Sequence, residues 1–339
     1  MAVTLAMKLL IAICIILCTC AFPATSRSLN AAAVVRTHEQ WMAEHGRTYA
    51  DDAEKEKRFK IFMENLQYIE NFNNAGNNSY KLGLNKFSDL TTEEFIASHT
   101  GLRIPNSQKS SRVASFGPLN SDDVPKRMDW RDKQAVTPVK YQGSCGSCWA
   151  FSTVAAVEGI IKIKTGNLFS LSEQQLVDCA RNGGNQGCRG GWMDNGFQYI
   201  IDNQGIARES EYPYRGNEGY CKRVSSLAAQ ISGYADVLAN SEEQLLQAVM
   251  QQPVSVTISV CSGFNHYQGG VFARHCDVPL NHAVTLIGYG TTEDGIRYWL
   301  IKNSWGKTWG ENGYMKLRRD SGIPGGLIGI AKKASYPIA

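Results

Sequence analysis

The positions of the cysteines constrain this chain most, because they divide it into two segments. None of the ten cysteines falls between residues 21 and 144. Seven follow that gap: Cys145, Cys148, Cys179, Cys188, Cys221, Cys261 and Cys276. In an oxidising compartment such residues form disulfides, and an odd number leaves at least one thiol free and open to reaction. The sequence therefore predicts a cysteine-free front segment and a disulfide-bearing back segment.

Residues 1–26 indicate that the chain enters such a compartment. Lys8 is followed by the apolar run LLIAICIILCTCAF, which is typical of a secretory signal with cleavage between Ala24 and Ser28. The alternative is a transmembrane anchor, but spanning takes about 20 apolar residues and no second apolar run approaches that length. We predict a soluble product in the secretory lumen, in a vacuole or lysosome, or outside the cell.

The charge distribution argues against a nucleic-acid partner. From Val124 onward there are 22 basic and 18 acidic residues, a surplus of 4, whereas the 13 basic and 13 acidic residues before it cancel. The surplus is small and forms no basic cluster. This back segment is long enough for one large domain or two small ones.

The front segment reads mainly as helix. Within residues 51–74, apolar side chains recur at helical spacing: Phe59, Phe62, Met63, Leu66 and Ile69. The stretch YKLGLNKFSDLTTEEF predicts a short strand, a turn and a second helix, which Thr91 or Thr92 caps with Glu94 in a capping box.

Two further features lie in this front segment. Residues 103–121 are polar, rich in Pro and Ser and without periodicity, which favours an extended, cleavable linker. Asn77, in NNS, occupies the chain's only sequon and is the candidate glycosylation site.

The back segment changes from helices to strands near residue 233. CWAFSTVAAVEGIIKIKTG predicts a buried central helix ending at Gly166, and LSEQQLVDC predicts a helix capped by Ser172 or Ser170. GWMDNGFQYIIDNQG predicts a third helix. PVSVTISV, HAVTLIGYG, RYWLIKNSW and GYMKLRRD then predict strands. This order favours an α+β fold, with two lobes and a cleft between them.

The motif QGSCGSCWAF, residues 142–151, allows three interpretations. A metal site needs a second ligand pair, and no C-x-x-C or H-x-x-x-H follows. A redox dithiol expects a preceding strand in a βαβ unit, but the preceding residues are loop-like. In the third interpretation Cys145 forms a bridge and Cys148, at the start of the helix, is a thiolate nucleophile favoured by the helix dipole.

A thiolate nucleophile needs a base, and the base needs an orienting partner. The back segment offers His266, His275 and His282. His282 begins an apolar strand, whereas the other two lie in loop-like sequence and are expected to face solvent. Asn303 ends a neighbouring apolar strand and is placed to accept a hydrogen bond from His282. Each of these signals is weak when taken alone.

Together the motifs resemble the precursors of papain-family cysteine proteases over the whole chain after the signal. CGSCW matches that family's active-site signature, with histidine and asparagine 134 and 155 residues downstream. The family's ERFNIN propeptide pattern is filled by Glu54, Arg58, Phe62, Asn65, Ile69 and Asn73. Its G-x-N-x-F-x-D pattern is filled by Gly83, Asn85, Phe87 and Asp89.

The resemblance implies a papain-like two-lobe α+β fold. A helical lobe with the central helix and an antiparallel, barrel-like β lobe would follow a helical inhibitory propeptide. We expect a signal peptide at 1–26, a propeptide with linker at 27–123 and a peptidase domain at 124–339. It further implies a monomeric zymogen without a cofactor, which binds protein or peptide substrates, its own propeptide and cystatin-type inhibitors.

Two alternatives to an active endopeptidase remain at this point. A non-catalytic storage or binding relative is disfavoured, because such a chain need not keep all four of the family's active-site residues, which here are Cys148, His282, Asn303 and Gln142. A carboxydipeptidase is disfavoured, because the eight residues between Cys179 and Cys188 are too few for an occluding insertion.

By the same resemblance, Cys148 attacks the peptide carbonyl and His282 pairs with it as an imidazolium. Asn303 orients the imidazole, and Trp305 shields their hydrogen bond. Gln142 and the backbone N–H of Cys148 form the oxyanion hole.

Substrate binding is also implied by the resemblance. Gly190 and Gly191 leave room for a substrate backbone, although an ordinary tight turn explains them too. The pocket for the residue two before the scissile bond is expected to be lined by Trp192, Met193, Thr257, Leu280, Ala283 and Lys333. Its walls favour an apolar side chain, and Lys333 either admits an acidic group or faces solvent.

Family pairing implies the bridges Cys145–Cys188 and Cys179–Cys221. The chain departs from the family where Ile328 replaces the expected partner of Cys276, and Cys261 is an additional cysteine. Cys261 and Cys276 therefore either pair with each other or stay free. Tyr141, where the family usually has asparagine, is a second departure beside the oxyanion-hole glutamine.

Overall fold

The computed structural model describes residues 31–105, 112–120, 122 and 124–339. The predicted signal peptide and residues 106–111 and 121 of the predicted linker lie outside those residues. Two compact units divide between Ala50 and Asp51. The first contains helix α1, Ala31–His45, in which Trp41 is buried and stacks on His38. No helix within the described ranges is long and apolar enough to span a membrane.

The second unit begins with the remaining helices of the front segment. Helix α2, Asp52–Asn74, starts where the Asp51 side chain accepts a hydrogen bond from the backbone of Glu54. A short strand, β1 (Tyr80–Leu82), follows. Helix α3, Thr92–His99, carries the predicted capping box, and Thr91 is the residue that caps it.

Two asparagines of the ERFNIN pattern fasten α2 to the chain that follows it. Asn65 Nδ2 donates to the carbonyls of Ser88 and Leu90, at 2.9 and 3.0 Å. Asn73 Nδ2 donates to Leu82 O at 2.8 Å. Because these bonds satisfy backbone carbonyls at the end of β1 and in the loop before α3, they fix the path of the front segment.

Three helices build the helical lobe. They are α4 (Cys148–Thr165), α5 (Glu173–Cys179) and α6 (Met193–Asp202). Helix α4 is buried on nearly every side through Ile161 and ends at Gly166, whose φ of 78° is left-handed. Ser172 caps α5. The predicted central helix is confirmed, because the apolar faces of α5 and α6 cover it.

The remaining strands belong to one sheet, against which helix α7 (Glu242–Gln251) packs. They are β2 (Arg112–Ala114), β3 (Met128–Asp129), β4 (Gly233–Val237), β5 (Val254–Ile258), β6 (Tyr267–Phe272), β7 (His282–Thr291), β8 (Arg297–Lys302), β9 (Tyr314–Arg318) and β10 (Ala334–Ile338). Their order is β1-β6-β9-β8-β7-β5-β10-β4-β2, with β3 on β7. Pairing is antiparallel except for β2–β4 and β6–β9, so the α+β class is confirmed.

Strand β6 does not fold back on β5 as a hairpin, although the two strands follow each other in sequence. Both edges of β5 are occupied, by β7 and β10. Strand β6 instead pairs with β9 and with β1 of the front segment, where Tyr80 lies opposite Gly270. The front segment therefore continues the sheet of the back segment.

Three disulfides lie within the residues that the structure describes. They join Cys145 to Cys188, Cys179 to Cys221 and Cys261 to Cys276. The last pair has its Cα atoms 5.7 Å apart, within the usual range for a bridge. Ile328 is buried where a family cysteine was expected. Of the cysteines in the described ranges, Cys148 alone is free.

We expect the Cys261–Cys276 bridge to stabilise the folded chain. Its closed loop spans 15 positions, and such a loop contributes about 3 kcal/mol in the chain-entropy model. The double variant Cys261→Ala/Cys276→Ala should lose about that much free energy of unfolding in a urea titration. Non-reducing peptide mapping is the control, and alkylation of both wild-type thiols without reductant would contradict the prediction.

Candidate active site

The Cys148 thiol lies at the first residue of α4 and is fully buried. Burial raises the pKa of the thiol to about 12, although backbone N–H groups of Ala283, Trp149 and Gly101 favour the thiolate. Gly101 belongs to the front segment, so the same segment both covers the sulfur and contacts it. In this form the sulfur is a neutral thiol and a weak nucleophile.

His282, the first residue of β7, lies beside an amide and an indole. Its Nε2 donates to Asn303 Oδ1 at 2.9 Å, and the same oxygen accepts from the Ser304 backbone N–H. Trp305 stacks on the imidazole at 4.5 Å between centroids and covers this bond. The opposite nitrogen, Nδ1, is buried and has no hydrogen-bond partner in the part of the chain that the structure describes.

The imidazole is also neutral in this form. Burial lowers the pKa of His282 to about 4, the Asn303 bond opposes this, and the charge of His99 adds to it. The front segment removes water from both the thiol and the ring and so disfavours their charged forms. The imidazolium expected in the resting enzyme stays a prediction for the form without the front segment.

Gln142 precedes Cys148 by six residues and is held by several hydrogen bonds. Its Nε2 donates to Cys145 O at 2.9 Å and to His99 O at 3.2 Å. Its Oε1 accepts from Ser304 Oγ at 2.6 Å, and its backbone carbonyl accepts from the Tyr214 hydroxyl at 2.7 Å. The carbonyl of His99, in the front segment, thus accepts a hydrogen bond from the side-chain amide of Gln142.

Residues 100–103 of the front segment, directly after α3, lie along the cleft outside any helix. The backbone N–H of Gly191 donates to Gly101 O, and that of Arg103 donates to Gly191 O, both at 2.9 Å. Leu102 and Gly191 form a parallel bridge between these bonds. At the other end, Trp305 Nε1 donates to His99 O at 3.0 Å.

The two glycines predicted for backbone recognition meet a steric requirement here. A Cβ on Gly191 would lie 2.7 Å from the Trp149 ring, and one on Gly190 would lie 2.5 Å from Gly101 O. Gly190 also has a φ of 108°. The front-segment backbone can approach Gly190 only because that residue has no side chain, whereas Gly191 is required by the packing of Trp149 within the back segment.

The residues predicted for the specificity pocket lie on both lobes. Trp192, Met193 and Ala283 belong to one buried apolar cluster, and Leu102 of the front segment packs against it. Thr257 lies opposite Ala283 across β5 and β7, and its hydroxyl donates to the Lys333 carbonyl. Leu280 and Lys333 are half-buried.

His266 corrects an expectation from the sequence. Its ring is buried rather than solvent-facing, and burial lowers its pKa to about 4. The cause lies in the front segment, because Gly83 N–H donates to His266 O and Asn85 Nδ2 donates to Asn265 O. His275 is exposed, as predicted.

Sequence reasoning missed three residues that position the site. Asn281 accepts at its carbonyl from the N–H groups of Gly101 and Leu102. Ser304 and Tyr214 hold Gln142. Asn281 directly precedes His282, and Ser304 directly follows Asn303. This adjacency was the only sequence signal for either residue, and no sequence signal pointed to Tyr214.

A thiol and an imidazole that part of the same chain seals from water are the features of a thiol peptidase in its inactive precursor form. Sequence models of two families match. "Papain family cysteine protease" covers residues 124–338, and "Cathepsin propeptide inhibitor domain (I29)" covers residues 38–95. The chain belongs to the papain family of cysteine proteases, and its propeptide is an intramolecular inhibitor.

Similar proteins cover nearly the whole chain. A senescence-specific cysteine protease of Oryza sativa subsp. indica is 48% identical over 99% of both chains. Ananain of Ananas comosus is 47% identical over 90% of this chain and 88% of its own. The structure of a recombinant stem bromelain precursor has a TM-score of 0.85 and 46% identity, over 90% of this chain and 99% of its own. That of the ragweed pollen cysteine protease Amb a 11, in its proform, has a TM-score of 0.83 and 38% identity, over 91% and 95%.

Proposed function

We propose that this cysteine endopeptidase zymogen works through Cys148, His282, Asn303 and Gln142. The observation that carries the assignment is the buried Nδ1 of His282, which has no hydrogen-bond partner among the described residues while Nε2 is bound to Asn303. Cys148 interacts with the backbone N–H of Ala283, the residue after His282. This contact next to His282 supports a pairing of the thiol with the imidazole nitrogen that Asn303 leaves free.

The proposed reaction has two steps. Cys148 Sγ attacks the peptide carbonyl carbon, its proton passes to His282 Nδ1, and the imidazolium then protonates the leaving amine. Water hydrolyses the resulting thioester with the same imidazole as base. Once the propeptide leaves, Gln142 Nε2 and the Cys148 backbone N–H are free to bind the oxyanion of each intermediate.

We propose an apolar preference for the residue two before the scissile bond. Leu102 of the propeptide packs on the cluster that contains Met193 and Ala283, and so marks an apolar subsite next to Gly191. The remaining predicted lining, from Trp192, Thr257, Leu280 and Lys333, completes this proposed pocket.

Processing and destination are part of the same proposal. Loss of residues 1–26 and 27–123 would leave a mature peptidase of residues 124–339, acting as a monomer that cystatin-type inhibitors bind. The signal-like N-terminus supports a secretory route to a vacuole, a lysosome or the cell exterior. Asn77 is exposed in the turn between α2 and β1, which supports glycosylation there.

Labelling of the activated enzyme with iodoacetamide tests the proposal. We expect one alkylated cysteine, Cys148, and loss of activity in step with labelling. The unprocessed zymogen is the control and should react slowly, because its thiol is buried and neutral. Activity that survives complete alkylation of Cys148, or a label on Cys145, would refute it.

Acid should release the propeptide by breaking the ion pair between α2 and α3. Glu94 is partly buried, which raises the pKa of its carboxyl, but bonds from Arg58 and the Thr91 backbone outweigh burial and the net shift is downward. A lowered pKa stabilises the folded form above the ordinary carboxyl value near 4.5, and this stability is lost as pH falls through the lowered value.

Glu94→Gln should therefore process at higher pH than wild type. Partly exposed pairs contribute about 0.2–1 kcal/mol, and one pH unit corresponds to about 1.4 kcal/mol, so we expect a shift of about half a unit. The measurement is the pH at which half of the zymogen has lost its propeptide mass. Glu56→Gln is the matched control, because Glu56 pairs with Lys60 on an exposed face. An equal shift in both variants would contradict the prediction.

A further inference from the structure

We propose that Tyr141 is a specificity-determining residue, whose ring binds a lysine or arginine side chain on the C-terminal side of the scissile bond. The inference rests on the proposed function, because that function sets the direction in which a substrate lies. The observation behind it is that a lysine of the propeptide already lies on this ring. Lys86 of the propeptide places its ammonium 3.1 Å from the centroid of the Tyr141 ring.

Tyr141 lies at the end of the cleft where the leaving part of a substrate must bind. The proposed apolar subsite for residues before the scissile bond is at Gly191. The opposite end is formed by Gln142 and Trp305, which both donate to His99 O of the propeptide. Tyr141 directly precedes Gln142 and forms a β-bridge with Trp305, so its ring belongs to that opposite end.

The site around the Lys86 ammonium has a defined shape. Gly306 lies beside it, and a Cβ there would approach Lys86 Nζ to 3.1 Å and the Tyr141 side chain to 3.7 Å. A larger residue at position 306 would therefore crowd the space next to the ring. Phe87 adds a second aromatic ring, 5.1 Å from the same ammonium, but it belongs to the propeptide and leaves with it.

The backbone that carries Tyr141 is anchored by contacts within the back segment, independently of Lys86. The preceding residue, Lys140, has its ammonium bound to Glu158 at 3.0 Å and to Glu173 at 2.7 Å, with both carboxylates buried. Gly306 N–H donates to Lys140 O at 3.1 Å. A platform fixed in this way does not have to be ordered when a ligand binds, which favours affinity.

The aromatic face will be accessible once Lys86 leaves. Tyr141 is 47% exposed even with the propeptide in place. A cation over an aromatic face is attracted by the quadrupole of the ring. The mature enzyme should thus offer cationic substrate side chains the contact that Lys86 makes in the zymogen.

Pairs of internally quenched peptides test the substrate side of this inference. The two members of a pair differ only in carrying lysine or methionine, at the first, second or third position after the scissile bond. The readout is the ratio of kcat/KM for lysine over methionine at each position. We expect Tyr141→Phe to keep the wild-type ratio and Tyr141→Leu to lower it about two- to fivefold at one position.

The zymogen tests the propeptide side. Lys86→Met and Tyr141→Leu should each raise the rate of acid processing, and the double variant should process no faster than the faster single variant. This non-additivity separates a direct contact from two unrelated defects.

Two outcomes would overturn the inference. The first is an unchanged lysine-to-methionine ratio in Tyr141→Leu, and an equal loss for both peptides in that case indicates a general apolar contact. The second is additive effects in the zymogen. Cys148 labelling keeps the two proposals distinguishable. If the enzyme is alkylated at Cys148 and loses activity, either of these outcomes refutes the cation site alone. If alkylation of Cys148 does not abolish activity, the proposed function itself is refuted.

Discussion

Replacing Cys148 with alanine is expected to lower peptidase activity by more than about 10³-fold and to leave the zymogen at full length in acid. In the proposed reaction this thiol supplies the bond-forming atom, and no other free cysteine lies in the described part of the chain. Hydrolysis of a fluorogenic peptide measures the first effect, and the mass of the acid-treated zymogen measures the second.

Two variants make the Cys148 result interpretable. Cys148→Ser keeps the side-chain size and should be as inactive as the alanine variant. Thr165→Ala, at the other end of α4, should behave like wild type if the loss reflects chemistry rather than helix stability. Acid processing of purified Cys148→Ala without added protease would contradict the assignment.

Gln142→Ala is expected to lower kcat by about 10²–10³-fold with a small effect on KM. The amide acts on the oxyanion, which exists only after attack, and the loss of one such donor costs about 2.7–4 kcal/mol. Gln142→Glu is the matched variant, since it keeps the size of the side chain but replaces the N–H donor by an acceptor. It should be at least as impaired.

Ser304→Ala serves as a graded control for Gln142. Ser304 Oγ donates to Gln142 Oε1 and orients the amide without facing the reacting carbonyl, so its loss should cost less. A kcat for Gln142→Ala within about threefold of wild type would remove Gln142 from the oxyanion hole. A greater loss in Ser304→Ala than in Gln142→Ala would do the same.

The sequence predicted those parts of the fold whose signals are local. The capping box at Thr91 and Glu94 and the left-handed helix end at Gly166 depend on residues within a few positions of each other. The long apolar runs of β7 and β8 predicted buried strands, because both faces of these strands are covered.

Features that depend on distant parts of the chain could not be predicted. His266 is buried because residues 83–85 of the propeptide cover its turn, about 180 positions away in sequence. The pairing of β6 with β1 likewise joins distant parts of the chain. The alternation of side chains along a strand predicts which face is buried, but it does not predict which strand lies alongside. The G-x-N-x-F-x-D pattern of the family did single out Asn85, which local signals could not connect with its distant contact at Asn265.

The direction of the propeptide in the cleft has a consequence for inhibitor design. From His99 to Arg103 the chain runs from the Trp305 end towards Gly191, opposite to the course proposed for a substrate. Its peptide bonds therefore reach Cys148 with reversed polarity. A retro-inverso peptide of D-amino acids, built on the substrate's sequence, combines that reversed backbone with substrate-like side chains. It would fill the mature enzyme's cleft without offering a bond to cut.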